Sequence, residues 1–145
     1  MAKEISVTLK SLNNEMTFAA KGPTGHWTMM DAKADVGGNA GAASPMELVL
    51  EALGGCTGLD TISILKKKRT PFSHLDINIK GDRTEEHPKV YTHIHMEFIL
   101  YSNDGEKALK SLKRAVALSH DKYCSVAAML KNSVEISHEC NVVEE

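Results

Sequence analysis

The sequence predicts an α+β domain, with antiparallel sheets packed on one long central helix in the order βββ-α-ββ-α-α-β. Three observations predict it. Apolar and polar residues alternate at the period of half-buried strands near the start of the chain and again after residue 74. Between these stretches, a run of about 25 residues beginning at Ser44 has a helical start, a helical stripe and a basic finish. The chain has 145 residues, of which 42% are hydrophobic and 25% charged, so a single domain spanning 1–145 with a real core is expected.

The first strand is marked by Ile5, Val7 and Leu9 alternating with Ser6 and Thr8. Asn13-Asn14 then turns the chain, and Met16, Phe18 and Ala20 alternate again. Gly22-Pro23-Thr24-Gly25 makes the next turn, and Trp27 and Met29 complete an antiparallel meander. From Ala32 to Ala43 the residues are small, centred on Gly37-Gly38-Asn39-Ala40-Gly41, which predicts a loop.

The helix opens with defined chemistry. Ser44 suits the N-cap, Pro45 the first helical position, and Glu47 the third position of a capping box. Leu48, Ala52, Gly55, Leu59 and Ile62 form one stripe, with Val49, Leu53 and Cys56 beside it. Lys66-Lys67-Lys68-Arg69 suits the negative end of the helix dipole, and Pro71 closes the element. Being apolar over most of its circumference, this helix is central. Gly54, Gly55 and Gly58 each cost about 1 kcal/mol against alanine, so another element must approach its backbone closely.

Two longer strands follow, one through Leu75, Ile77 and Ile79 and one through Val90, Ile94, Met96, Phe98 and Leu100, with Gly81 to Lys89 as a charged hairpin loop. Asn103 with Glu106 marks the start of a second helix, whose stripe is Ala108, Leu109, Leu112, Ala115, Val116 and Ser119. After His120-Asp121-Lys122 the chain turns into a short apolar helix from Cys124 through Leu130. Val134, Ile136 and His138 mark the last strand, and Cys140 follows in a polar tail as a bystander.

Composition excludes several function classes. A formal charge of −2 does not suit a nucleic-acid or anionic-membrane surface, which needs a basic face. Aromatic residues, at 5%, are too few for a base-stacking platform. No apolar run is expected to approach the roughly 20 residues of a membrane span. Met1-Ala2-Lys3-Glu4 lacks the layout of a signal peptide, and three cysteines do not make a secreted disulfide scaffold. A cytoplasmic protein is expected, in which each thiol packs, binds metal or reacts.

Cys56 lies between glycines that leave room for a substrate, which suits a nucleophile as well as a small packed side chain. Asp60, one turn on, opposes a thiolate if it points the same way. Cys124 sits at a helix N-terminus after Lys122, where a dipole and a cation lower a thiol pKa. Glu47 is explained by its cap. His93 and His95 share the polar face of a strand, as a solvated pair or as two metal ligands in search of a third.

Ser44-Pro45-Met46-Glu47-Leu48 leading into Ala52-Leu53-Gly54-Gly55-Cys56-Thr57 resembles the central helix of the OsmC/Ohr family. Lys122-Tyr123-Cys124-Ser125-Val126-Ala127 resembles that family's second-cysteine segment, and the resemblance extends over nearly the whole chain. It implies an intertwined homodimer with the long helices buried together, which would account for the three glycines. It also implies a thiol peroxidase acting on organic hydroperoxides in oxidative-stress defence. In that reading Cys56 attacks the peroxide, Cys124 resolves the sulfenic acid to a disulfide, and a dithiol of lipoyl type regenerates the enzyme. Glu47 is the family's acidic candidate. No cofactor and no metal are implied.

The chain departs from the peroxidase branches at two places. Its first arginine is Arg69, so their N-terminal arginine has no counterpart, and Met46 stands where they carry glutamate. Glu47 is one step on, turned by about 100°. This points to a divergent OsmC-like subfamily. The alternative function is a non-catalytic binding protein holding an apolar small molecule at the dimer interface, and the third is metal binding through His93 and His95.

Overall fold

In the computed structural model, which describes residues 2–145, the expected order βββ-α-ββ-α-α-β is found. The chain divides into two units, one ending at Val49 and the other beginning at Leu50.

In the first unit, β1 (Thr8–Ser11), β2 (Phe18–Lys21) and β3 (Trp27–Met30) form the antiparallel meander, with Leu9 opposite Ala20 and Ala20 opposite Thr28. The strands are only four residues long, so Ile5 and Val7 lie outside the ladder, exposed at 77% and 63%. The loop after β3 is more organised than its small residues suggest. Buried Asp31 accepts the amides of Ala32 at 2.7 Å and Gly41 at 3.0 Å, and these donors, Gly41 first, hold its carboxyl below the usual range. A short 3-10 turn, Ala34–Val36, lies inside the loop, and a Cβ at Gly38 would strike the Ala32 carbonyl.

The long helix α1 (Pro45–Lys67) starts as its sequence predicts. The Ser44 amide donates to Glu47 Oε2 at 2.7 Å, and the Glu47 amide donates to Ser44 Oγ at 3.3 Å, which is a reciprocal capping box. It ends two residues before the basic run does, because Arg69 takes a left-handed conformation at φ 56°. The Arg69 and Thr70 amides then close onto the Lys66 and Leu65 carbonyls, both at 3.0 Å.

In the second unit, β4 (His74–Arg83) and β5 (Tyr91–Tyr101) pair antiparallel, with Ile77 opposite Phe98 and Ile79 opposite Met96. The last strand, β6 (Glu135–Val143), pairs with β5 in parallel, so the antiparallel expectation holds for every pair except this one. The reason is the crossover. α2 (Gly105–Leu118), a π-turn (Ser119–Tyr123) and α3 (Ser125–Leu130) intervene between β5 and β6, and a connection of that length returns the chain in the same direction. β4 extends through Arg83, so the expected hairpin loop is shorter than predicted. β6 extends through Val143, which places Cys140 opposite Phe98 in the sheet and not in a tail.

One face of this sheet is apolar, with Leu100, Phe98, Met96 and Ile94 of β5 fully buried. α1 lies against it through its glycines. A Cβ at Gly54 would come within 2.6 Å of Ile79 Cδ1, and one at Gly58 within 2.9 Å of Ile77 Cδ1. The chain's own sheet therefore explains two of the three costly glycines, which the family resemblance had assigned to a dimer. Gly55 meets nothing within 4 Å. α1 has the length and mean apolarity of a membrane span, but Glu47, Glu51 and Asp60 interrupt it, and one face packs on β4 through Gly54 and Gly58.

α2 does not take the predicted Asn103 cap. Asp104 stands at the cap position with no side-chain bond to the helix, while Asn103 Oδ1 accepts the Glu145 amide at 3.0 Å. The carboxamide is committed to the end of the chain. The stripe of α2 is buried as predicted at Ala108, Leu112, Ala115, Val116 and Ser119, against β5 and β6.

His138 of β6 lies beside Phe98 and meets the His120 ring edge-on at 4.6 Å. Burial, followed by the charge of His120, pulls its pKa down to about 4. A depressed folded pKa means that the unfolded chain binds the extra proton first. Stability is therefore expected to be full above pH 6.5 and to fall as the pH drops toward 4. Thermal melts across this range should show the loss, and His138→Phe should flatten it. An unchanged acid limb in that variant would mean that other groups carry it.

Candidate functional site

The second unit brings both predicted thiols together. Cys56 projects from α1 and Cys124 sits at the N-cap of α3, with φ −71° and ψ 106°. Their sulfurs and an Asp60 carboxylate oxygen all lie within 4.8 Å of one another. Cys124 is 2% exposed, and Cys56 is half-buried.

The helix phase explains this meeting. Thr57 and Thr61 point into the core, where each hydroxyl donates to the carbonyl four residues back, at 2.9 and 2.8 Å. That orientation turns Cys56 and Asp60, four residues apart, to one flank. On the other side, the Cys124 amide bonds the Ser119 carbonyl at 2.7 Å across the π-turn and fixes the second cysteine. Cys124 Sγ accepts the Ala127 amide at 3.3 Å and lies 3.4 Å from Thr57 Oγ1. The single Thr57 proton is used on Leu53, so the neutral thiol donates to Thr57. When the sulfur ionises, the hydroxyl can turn toward it.

The electrostatics reverse one expectation. Helix N-terminus and cation were to lower the Cys124 thiol, but burial pushes it up. Thr57 and the Ala127 amide pull the other way, and the Cys56 thiol adds to the rise. α3 has only six residues, and the Lys122 ammonium lies over the Tyr123 ring at 5.4 Å, so neither predicted source of positive charge dominates.

Asp60 points the same way as the thiols. Its Oδ2 accepts the buried Ser119 hydroxyl at 2.8 Å. Ser119 belongs to the stripe that the sequence assigns to packing, and nothing in the local pattern marks it as a partner of Asp60, 59 positions earlier. Beside Asp60, a groove of about 380 Å³ has Ile64, Leu118 and Tyr123 as apolar wall and Lys67 and Lys68 as basic lining.

The other predicted residues have partners of their own. Glu47 has its partners in its own unit, where Ser44 and then Lys33 hold its carboxyl below the usual range. His93 and His95 sit on the polar face of the sheet and share Ser137 Oγ, at 2.9 and 2.7 Å. Each faces its own carboxylate, Asp82 at 3.7 Å and Glu139 at 3.5 Å. Among the described residues, the only group of three potential metal ligands is Cys56, Asp60 and Cys124, which does not support metal binding through the histidines. Cys140 lines a groove under α2 with His138, and burial raises its thiol pKa.

The family model for OsmC-like proteins matches residues 37–139. Protein YhfA of Escherichia coli K12 is 42% identical over 130 residues, covering 88% of this chain and 91% of YhfA. A hypothetical protein from Aquifex aeolicus VF5, known from its crystal structure, is 37% identical with a TM-score of 0.83 and 99% of each chain covered. The organic hydroperoxide resistance protein OsmC from Legionella pneumophila shares the fold, with a TM-score of 0.68 over 98% of each chain at 12% identity.

Proposed function

Since the chain belongs to the OsmC-like protein family, we propose that it is a thiol peroxidase that reduces organic hydroperoxides, with hydrogen peroxide the poorer substrate. The observation that carries this reading is the pairing of two thiols from distant segments within 4.8 Å. One is half-buried, and the other is buried.

The difference in exposure supports giving the two thiols different roles. Cys56 attacks as thiolate on the terminal peroxide oxygen. The O–O bond breaks, the sulfur becomes a sulfenic acid, and the departing alkoxide takes a proton to leave as alcohol. The Cys124 sulfur then attacks that sulfenic sulfur, expelling water and forming a disulfide. A reductant dithiol attacks the disulfide, restores both thiols and leaves as its own cyclic disulfide. Closing the bond requires the sulfurs to approach to about 2.05 Å, a modest shift for one sulfur at a helix cap and one on a helix flank.

The functional protein in this reading is a homodimer acting in a reducing, cytoplasmic setting. The apolar flank of α1 supports the dimer, since Leu59 is 74% exposed and Gly55 faces open space. A second copy with the same helix covers that flank.

One measurement tests the chemistry: free-thiol count and intact mass after one equivalent of cumene hydroperoxide. The expected result is rapid loss of two thiols and a mass decrease of about 2 Da for one disulfide. Thiols that stay reduced would sink the peroxidase and favour the alternative, an OsmC-like binding protein for an apolar small molecule.

Glu47 is the proposed acidic residue of the reaction, and its cap allows a clean test. Glutamine preserves a capping box, whereas alanine removes it at a cost of about 1 kcal/mol. Glu47→Gln is expected to slow peroxide consumption at an unchanged melting temperature. Full turnover in that variant would leave Glu47 with the cap alone.

A further inference from the structure

We infer that Cys56, Asp60 and Cys124 form a binding site for a thiophilic divalent cation, Zn²⁺, which holds the thiols as ligands and shields them from oxidation. The inference uses the same sulfurs as the peroxidase but does not depend on peroxide chemistry.

Geometry carries it first. Each residue offers one ligand atom, and the three atoms lie within 4.8 Å of one another. Tetrahedral zinc, with Zn–S near 2.3 Å and Zn–O near 2.1 Å, sets its ligand atoms about 3.5–3.8 Å apart. Closing the three atoms by at most about 1.3 Å around a cation forms the site. Two ligands come from one helix at i and i+4, the spacing that places metal ligands on a shared face. The third comes from a helix cap held by the Ser119 carbonyl. Three protein ligands leave the fourth position open, as in zinc sites that accept an exchangeable ligand.

The surroundings of the three atoms carry it second. Ser119 Oγ donates to Asp60 Oδ2 at 2.8 Å, which orients the carboxylate. The Ala127 amide donates to Cys124 Sγ at 3.3 Å, the kind of bond that stabilises a thiolate ligand. Two of the three ligands thus already have the outer contacts that metal sites use to fix theirs.

Charge carries it third. Two sulfurs and a carboxylate oxygen gathered in one place make a donor set that a thiophilic dication accepts. Two thiolates and one carboxylate bring three negative charges, and Zn²⁺ offsets two of them. A ligated sulfur has its lone pairs committed to the metal, so the zinc-bound protein does not consume peroxide until the metal is removed.

The test uses the full-length protein, reduced and then freed of metal with EDTA. It competes for Zn²⁺ against a chromophoric zinc indicator, and separately takes up Co²⁺ as a spectroscopic probe. The expected result is one Zn²⁺ per chain and a thiolate-to-cobalt charge-transfer band in the near ultraviolet. Cys56→Ser and Cys124→Ser should each weaken both signals, Asp60→Asn should lower zinc affinity by about tenfold or more, and Cys140→Ser should leave both unchanged. The absence of the cobalt band in the wild type overturns the site without reference to any variant. So does an Asp60→Asn protein, shown by its melting temperature to be folded, that binds as tightly as wild type. Peroxide consumption is followed in the same samples, where zinc should suppress it and EDTA restore it. A protein that consumes peroxide but never competes for zinc keeps the peroxidase and loses the metal site. One that binds zinc but, once freed of metal, leaves peroxide untouched keeps the site and loses the peroxidase.

Discussion

Cys56→Ser is expected to reduce peroxide consumption to background, while Cys124→Ser leaves one turnover per chain and then stops. A serine hydroxyl at position 56 is not ionised near neutral pH and cannot be oxidised as a thiolate is. Loss of Cys124 leaves the first step intact, because the half-exposed Cys56 does not need its neighbour to reach the substrate. The sulfenic acid then has no thiol within 4.8 Å to close upon, and dimedone should trap it at Cys56 in the intact-mass spectrum. Both variants should stay folded, since each exchanges sulfur for oxygen at similar size. Cys140→Ser should behave as wild type, because its sulfur lies under α2 and outside the thiol group. Wild-type activity in Cys56→Ser would overturn the assignment of roles.

Phe98→Ala is expected to cost about 3–5 kcal/mol, a large part of the roughly 5–15 kcal/mol that holds a domain together. Phe98 is fully buried on the central strand of its sheet, opposite Ile77 of β4 and Cys140 of β6 and beside His138. No neighbouring side chain can fill the space, because the strand is paired on both sides and α1 and α2 lie over that face. A fall in melting temperature of roughly 10 °C or more should follow. Leu59→Ala tests the proposed dimer by the same measurement. Its side chain is 74% exposed on α1, so it should cost less than about 1 kcal/mol if that flank faces solvent. A loss comparable to that of Phe98→Ala, shrinking as the protein is diluted, would instead show the flank buried in a homodimer.

Much of the fold was legible because its signals are local. The start of α1 depends on a hydroxyl and a carboxylate three residues apart, and Ser44 and Glu47 make both expected bonds. The alternation in β4 and β5 follows from one sheet face being buried. Where reading failed, the deciding partner was distant. Asn103 has a capping residue's chemistry, but the Glu145 amide occupies it. Nothing inside the 135–143 segment states whether it pairs parallel or antiparallel. That follows from the crossover carrying the chain back over the sheet.

The site divides the same way. Both cysteines were identifiable from their segments, and the capping role of Glu47 from Ser44 three residues before it. The low pKa expected at Cys124 was not met, because burial outweighs the dipole of a six-residue helix and burial is a tertiary quantity. Asp60 stood four residues from Cys56 in plain view, but its partnership with Ser119 exists only after α2 has packed beside α1.

By itself, then, the sequence determined the elements, their order and the residues able to carry sulfur chemistry, since propensity, capping and periodicity act over a few neighbouring positions. Only the tertiary structure decided that two thiols 68 positions apart meet, that a carboxylate stands with them, and which thiol is buried. Those facts depend on distances across the fold and on exclusion from water, neither of which a local stretch of chain can specify.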